Sequence, residues 1–142
     1  MNWDRFSEEE REILERLDHH ARLLAGRFGL PLAHLTRESG RVKRRYGSCD
    51  VNGVIRLRLH DRRNGAFLKY SSLIATLCHE LAHLKHLNHG IRFRALYMQI
   101  LEYARAAGIY RPRAVISPGK DDPGREAREA TPGGSPPAAA RR

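Results

Sequence analysis

LIATLCHELAHLKHLNHGIRF, residues 73–93, is the stretch whose reading decides how this chain is built. At its centre His79, Glu80 and His83 form an H-E-x-x-H spacing. Leu73, Ile74, Leu77, Leu81 and Leu84 recur at helical intervals, which predicts an amphipathic helix with one buried side. Residues four apart on a helix stack on the same face. Two imidazoles placed that way can share one metal ion, and the carboxylate of Glu80 can reach a water beside it. The chain has 8 histidines, and composition alone yields about 0.03 matches of this kind. The match therefore calls for a chemical explanation.

A metal that does chemistry needs three protein ligands and one open position. His89 lies between Asn88 and Gly90, residues that end helices by accepting a left-handed conformation. The chain can leave the helix there and turn His89 back toward the metal. His86 competes for the place, seven residues after His79 and so on the correct face. Its height is wrong, about 10 Å along the axis from His79, and three ligands in a line on one helix cannot form a tripod. His79, His83 and His89 are thus the expected metal ligands, with Zn²⁺ the expected ion and Glu80 the expected catalytic acid/base. Histidine triads accept other divalent metals as well. His86 is expected at the surface or in support of the site.

The 142 residues, 41% of them apolar, suit one globular domain. No apolar run approaches the length of a membrane span, and no secretion-type segment follows Met1. The expected setting is soluble and cytoplasmic. The two cysteines, Cys49 and Cys78, do not resemble a disulfide framework, and Cys78 reads as a small core residue. The net charge of +10 is unevenly spread. Residues 1–36 are net −2, residues 37–63 net +6 and residues 92–117 net +4. Such a patch is compatible with nucleic acid as a partner. An arginine excess over lysine of 22 to 4 also fits GC-rich coding.

From the start, Ser7 with Glu10 makes a capping box for a helix over 7–28, with Ile13, Leu14, Leu17, Ala21, Leu24, Ala25 and Phe28 as its apolar stripe. His19 and His20 fall outside the stripe and read as solvated. Residues 32–59 read as strands: 32–36, a basic 41–48 with Val42 and Tyr46 as core candidates, and 54–59. The Asn52-Gly53 pair marks a hairpin turn. Ile55, Leu57 and Leu59 alternate onto a buried face, leaving Val54, Arg56 and Arg58 on a cationic outer one. Ser71 or Ser72 is placed to cap the metal helix, expected over 71–88. A third helix follows over 91–107, with Phe93, Leu96, Ile100, Tyr103, Ala104 and Ala107 as its packing face and Gly108 as its stop. Residues 1–116 form the expected domain. Residues 117–142, rich in Pro, Gly, Ala and charge, are an expected disordered tail.

The segment VKRRYGSCDVNGVIRL, followed by LIATLCHELAHLKHLNHGIRF, resembles the YgjP-like and WLM-type zinc metallopeptidases, relatives of the SprT-like group. There a basic strand with a W-G-S-C-like element and a hairpin precede H-E-x-x-H, and a third His sits in an Asn-His-Gly/Ser-x-x-Phe context. The resemblance covers residues 41–108. It departs from the pattern at Tyr46, where Trp is usual, and at Arg94. It implies an α+β, zincin-like minimal metalloprotease domain: a small antiparallel sheet packed on three main helices. It also implies His79, His83 and His89 as zinc ligands, Glu80 as acid/base, and action on proteins attached to DNA. The expected activity is hydrolysis of peptide bonds in a protein or peptide substrate. His86, Tyr97 and Tyr46 are candidate oxyanion donors, and the strand beside the metal helix is expected to offer its edge to substrate. The competing expectation is a non-catalytic, zinc-stabilised module that binds nucleic acid or a protein partner.

Overall fold

The structure, a computed structural model, describes residues 3–39 and 46–112. Ser7 starts the first helix, α1 (Glu8–Phe28), by the reciprocal bonds of a capping box. Its Oγ accepts from the Glu10 N–H at 3.1 Å, and its own N–H donates to Glu10 Oε1 at 3.3 Å. Leu14, Leu17, Ala21, Leu24 and Ala25 form the buried stripe. The helix stops at Gly29, and Leu30 turns back into the core.

Three short strands follow: β1 (His34–Arg37), β2 (Gly47–Cys49) and β3 (Val54–Leu57). β3 lies in the middle, in the order β1-β3-β2. The α+β class stands, but the sheet is mixed rather than antiparallel. β2 pairs antiparallel with β3, whereas β1 pairs parallel to it. Arg37 at the end of β1 and Gly47 at the start of β2 both sit opposite Leu57, so β2 begins at the end of β3 where β1 finishes and runs back along the other side of β3. Of the basic strand expected over 41–48, only its last residues are seen as strand. Positions 41–45, with Val42, lie outside the described residues, as does the expected tail over 117–142.

The hairpin turn forms where Asn52-Gly53 predicts it. Asp50 Oδ1 accepts from the N–H groups of Asn52 (2.9 Å) and Val54 (3.1 Å). Gly53 has φ 83°, and a Cβ there would lie 2.6 Å from the Pro31 carbonyl oxygen. Only glycine fits both the angle and the gap. Ile55, Leu57 and Leu59 are fully buried, as their alternation requires. The outer face is less cationic than expected, because Arg56 pairs with Asp50 at 3.3 Å.

The metal helix, α2 (Tyr70–His83), is buried over most of its surface. Its ends differ from the expected 71–88. Lys69 is the N-cap and no side chain caps it; Ser71 and Ser72 lie one and two residues inside the first turn, too late to serve. At the other end Leu84 and Lys85 bond back to Leu81 and Ala82, three residues away. That tightening closes the helix before Asn88 and Gly90 are reached. The third helix, α3 (Ile91–Ala106), buries Phe93, Ile100 and Ala104. Tyr103 and Ala107, expected on the packing face, remain exposed. Cys78 is a buried free thiol, as expected. His20 is half-buried rather than solvated: its Nδ1 lies 2.7 Å from the Tyr70 hydroxyl and joins α1 to α2. No helix of the described residues is long and apolar enough to cross a membrane.

Glu10 also fastens α1 to the sheet. Arg37 Nη1 donates to its Oε2 at 3.1 Å, and His60 Nε2 lies 2.9 Å from the same oxygen. Burial pushes the Glu10 carboxyl up, but the bonds from His60, Arg37 and the Ser7 N–H outweigh it and hold the group below its ordinary value. A depressed folded-state pKa adds stability above the unfolded-state value, and that stability is lost as pH falls through the folded one. Glu10→Gln should therefore cost about 2 kcal/mol at pH 7, measured by urea unfolding. The gap between variant and wild type should close as the buffer is taken below the carboxylate range. A gap independent of pH would contradict this role.

Candidate metal centre

One turn of α2 separates His79 from His83, and their ring centroids stand 4.8 Å apart. The early end of the helix is what brings in the third histidine. Residues 84–90 fold back so that the His89 ring lies 5.2 Å from His79 and 4.7 Å from His83. One nitrogen from each ring falls within 4.8 Å of the others. His83 Nε2 and His89 Nε2 face each other at 3.0 Å. His83 Nδ1 lies 2.9 Å from the His86 carbonyl oxygen. A carbonyl only accepts, so Nδ1 carries the proton and the Nε2 of a neutral ring presents its lone pair to the cluster. Nitrogens bound tetrahedrally to zinc at about 2.0–2.1 Å stand about 3.3 Å apart. The donor set fits a divalent ion. His86 contributes through its backbone carbonyl and not through its ring.

Glu80 is buried beside the triad, its side chain 8% exposed, with Oε2 3.4 Å from His79 Nδ1. It adds a carboxylate next to the cluster without being one of the three converging ligands. Phe93 closes the other side. Its ring stacks on His83 at 4.4 Å and meets His79 and His89 at 4.9 Å each.

Residues 8–133 match the family model of the WLM domain. The chain belongs to the WLM family. This agrees with the resemblance carried by residues 41–108 and supports a function of metalloprotease type. Two crystal structures of Wss1 from Saccharomyces cerevisiae share the WLM fold seen here. One is 20% identical with a TM-score of 0.60, covering 68% of this chain and 79% of that one. The other, of a Wss1 mutant, is 18% identical with a TM-score of 0.65, covering 78% of this chain and 91% of that one. No curated protein sequence matches the chain.

Two details of this WLM site go beyond the sequence reading, which placed the basic hairpin beside the site. The first is how tightly β2 packs on Glu80. A Cβ on Gly47 would lie 2.8 Å from Thr76 Cγ2, 3.1 Å from Leu57 Cδ2 and 3.2 Å from Glu80 Cγ. Glycine inside a strand often marks such an approach, so the Gly47-Ser48-Cys49 element held a readable sign of it. β2 is also an edge strand of the sheet, which identifies the edge beside the metal helix. Gly47→Ala should press on Thr76 and Glu80 and destabilise the domain by about 1–3 kcal/mol, read as a lower midpoint of thermal unfolding. An unchanged midpoint would show that β2 is not pressed against α2. The second feature is the His83–His86 carbonyl bond, which depends on where α2 ends.

The remaining candidates separate by position. Tyr97 packs on the site, its ring 5.6 Å from His79 and stacked on Phe93. Burial pushes its hydroxyl far up, with Cys78 and Tyr110 adding to the shift, so it stays a proton donor. Tyr46, expected in the core, is 44% exposed, one residue before β2. Burial pushes the Cys49 thiol up to about 12, with the charges of Glu80 and Asp50 adding. Cys49 is therefore neither a thiolate ligand nor a nucleophile at neutral pH.

Proposed function

We propose that this chain is a zinc-dependent metallopeptidase that hydrolyses peptide bonds in protein substrates. The observation that carries the reading is the convergence of His79, His83 and His89 beside the buried carboxylate of Glu80. The three imidazoles hold the ion, and the His86 carbonyl keeps His83 in the tautomer that can bind it. A zinc ion held there supplies a Lewis acid, lowering the pKa of water toward about 7 and polarising a carbonyl. Glu80 takes a proton from the attacking water as its oxygen adds to the scissile carbonyl carbon. It then delivers that proton to the amide nitrogen as the C–N bond breaks. The edge of β2 aligns an extended substrate by main-chain bonds, passing Glu80 at Gly47. Of the three candidate oxyanion donors, Tyr97 is the one we favour, since its ring packs on His79 and its hydroxyl keeps its proton.

The test is cleavage of an unfolded protein by the zinc-loaded wild type, repeated after chelation and with Glu80→Gln. Cleavage lost in both controls supports the enzyme. Retained zinc with no cleavage of a broad peptide library would favour the alternative, a zinc-stabilised interaction module. A refinement of the main reading is action on proteins attached to DNA. Its support is the concentration of positive charge in the sequence, net +6 over residues 37–63. The same assay with duplex DNA at low salt decides the point: stimulation supports it, and unchanged rates remove it.

A further inference from the structure

A cleft of about 320 Å³ opens beyond the triad, between the hairpin turn and the loop that follows α2. Asp50, Val51 and Asn52 line one side, and His83, Leu84 and Leu87 the other. Its position follows from the way β2 passes the metal helix. Gly47 lies against Thr76 and Glu80. The turn after Cys49 then faces His83, the last residue of α2, across the cleft. A polypeptide aligned on the edge of β2, with its scissile bond at Glu80, therefore carries its next residues over this cleft.

The chemistry of the walls says what would enter. Val51 is 91% exposed and Leu87 83% exposed, so both present nearly whole apolar side chains. Leu84 and Pro31 continue the apolar surface, while Asn52 and His83 add polar groups at its margin. The one carboxylate is already used: Asp50 Oδ1 accepts from Asn52 and Val54, and Oδ2 from Arg56. The volume is at the small end of ligand clefts, which run from about 300 Å³ upward. It has room for a large side chain and none for a folded segment.

We propose that this cleft is a substrate subsite for one large aliphatic or aromatic side chain, with Val51 and Leu87 setting the preference. The proposal rests on the peptidase reading. It is tested with zinc-loaded wild type, Val51→Glu and Leu87→Glu on a peptide library varied around the cleaved bond. Both substitutions are at exposed positions, so fold and zinc content should be unchanged. Wild type should prefer Leu or Phe over Ala at one position by about tenfold or more in kcat/KM. Either variant should erase that preference, bringing the Leu and Phe peptides to the level of the Ala peptides. An unchanged preference in both variants overturns the subsite and leaves the peptidase standing.

A wild type that cleaves no peptide removes the peptidase reading instead. Binding of a fluorescent Leu-containing peptide to Glu80→Gln protein then decides the cleft. Binding weakened about tenfold by Leu87→Glu sustains it as a peptide site, and binding that is absent or unaffected overturns it. Self-association of the wild type that the same variants abolish would assign the cleft to a second copy of the chain and overturn the subsite.

Discussion

Replacing Glu80 with Gln should lower peptide hydrolysis by about 10²–10⁴-fold while the protein keeps its full complement of zinc. The two halves of that result have separate causes. Glutamine has the shape of glutamate, so it fills the same buried space between Gly47 and His79 and leaves the packing of α2 and β2 intact. It has no carboxylate, so it cannot take a proton from water or return one to a leaving amine. The metal should stay because the converging nitrogens belong to His79, His83 and His89. Rates from a discontinuous peptide assay and zinc from elemental analysis of the same preparation give both halves. A variant that loses its zinc would recast Glu80 as part of the metal's support. A variant that keeps both zinc and activity would require another base.

The elements that local physics dictates were legible in the sequence. Ser7 and Glu10 announced α1, the alternation of Ile55, Leu57 and Leu59 announced β3, and His79 and His83 announced one face of α2. The return of His89 toward His79 and His83 was legible too, since a tripod needs a group that leaves the helix. What escaped was set by distant partners. The parallel pairing joins β1 to β3 across a sequence gap that contains β2, and no local pattern encodes that. The end of α2 was misplaced because Asn88 and Gly90 are valid stop residues that come too late. Three-residue bonds at Leu84 and Lys85 close the helix first. Ser71 and Ser72 are good capping residues lying inside a helix that had already begun. The Glu10–His60 and His20–Tyr70 contacts each join residues 50 apart and become visible only once the core has formed. The closeness of Gly47 to Glu80 lies between these cases: the glycine invited the question, and the packing answered it.

The account depends most on His89, the one expected ligand outside the helix. It is exposed and lies on the turn between α2 and α3, so its removal should spare the core. His86, three residues earlier, acts through its carbonyl; an alanine there retains that carbonyl and is an internal control. The decisive measurement is zinc affinity and stoichiometry, by competition with a chelator, for wild type, His89→Ala and His86→Ala. Wild type should bind one zinc. His89→Ala should weaken binding by more than about 100-fold, beyond the 10–100-fold typical of groups that only support a ligand. Its thermal midpoint in chelator should match that of metal-free wild type, and His86→Ala should stay close to wild type in affinity. Undiminished stoichiometry and affinity in His89→Ala would contradict the three-histidine centre and the mechanism built on it.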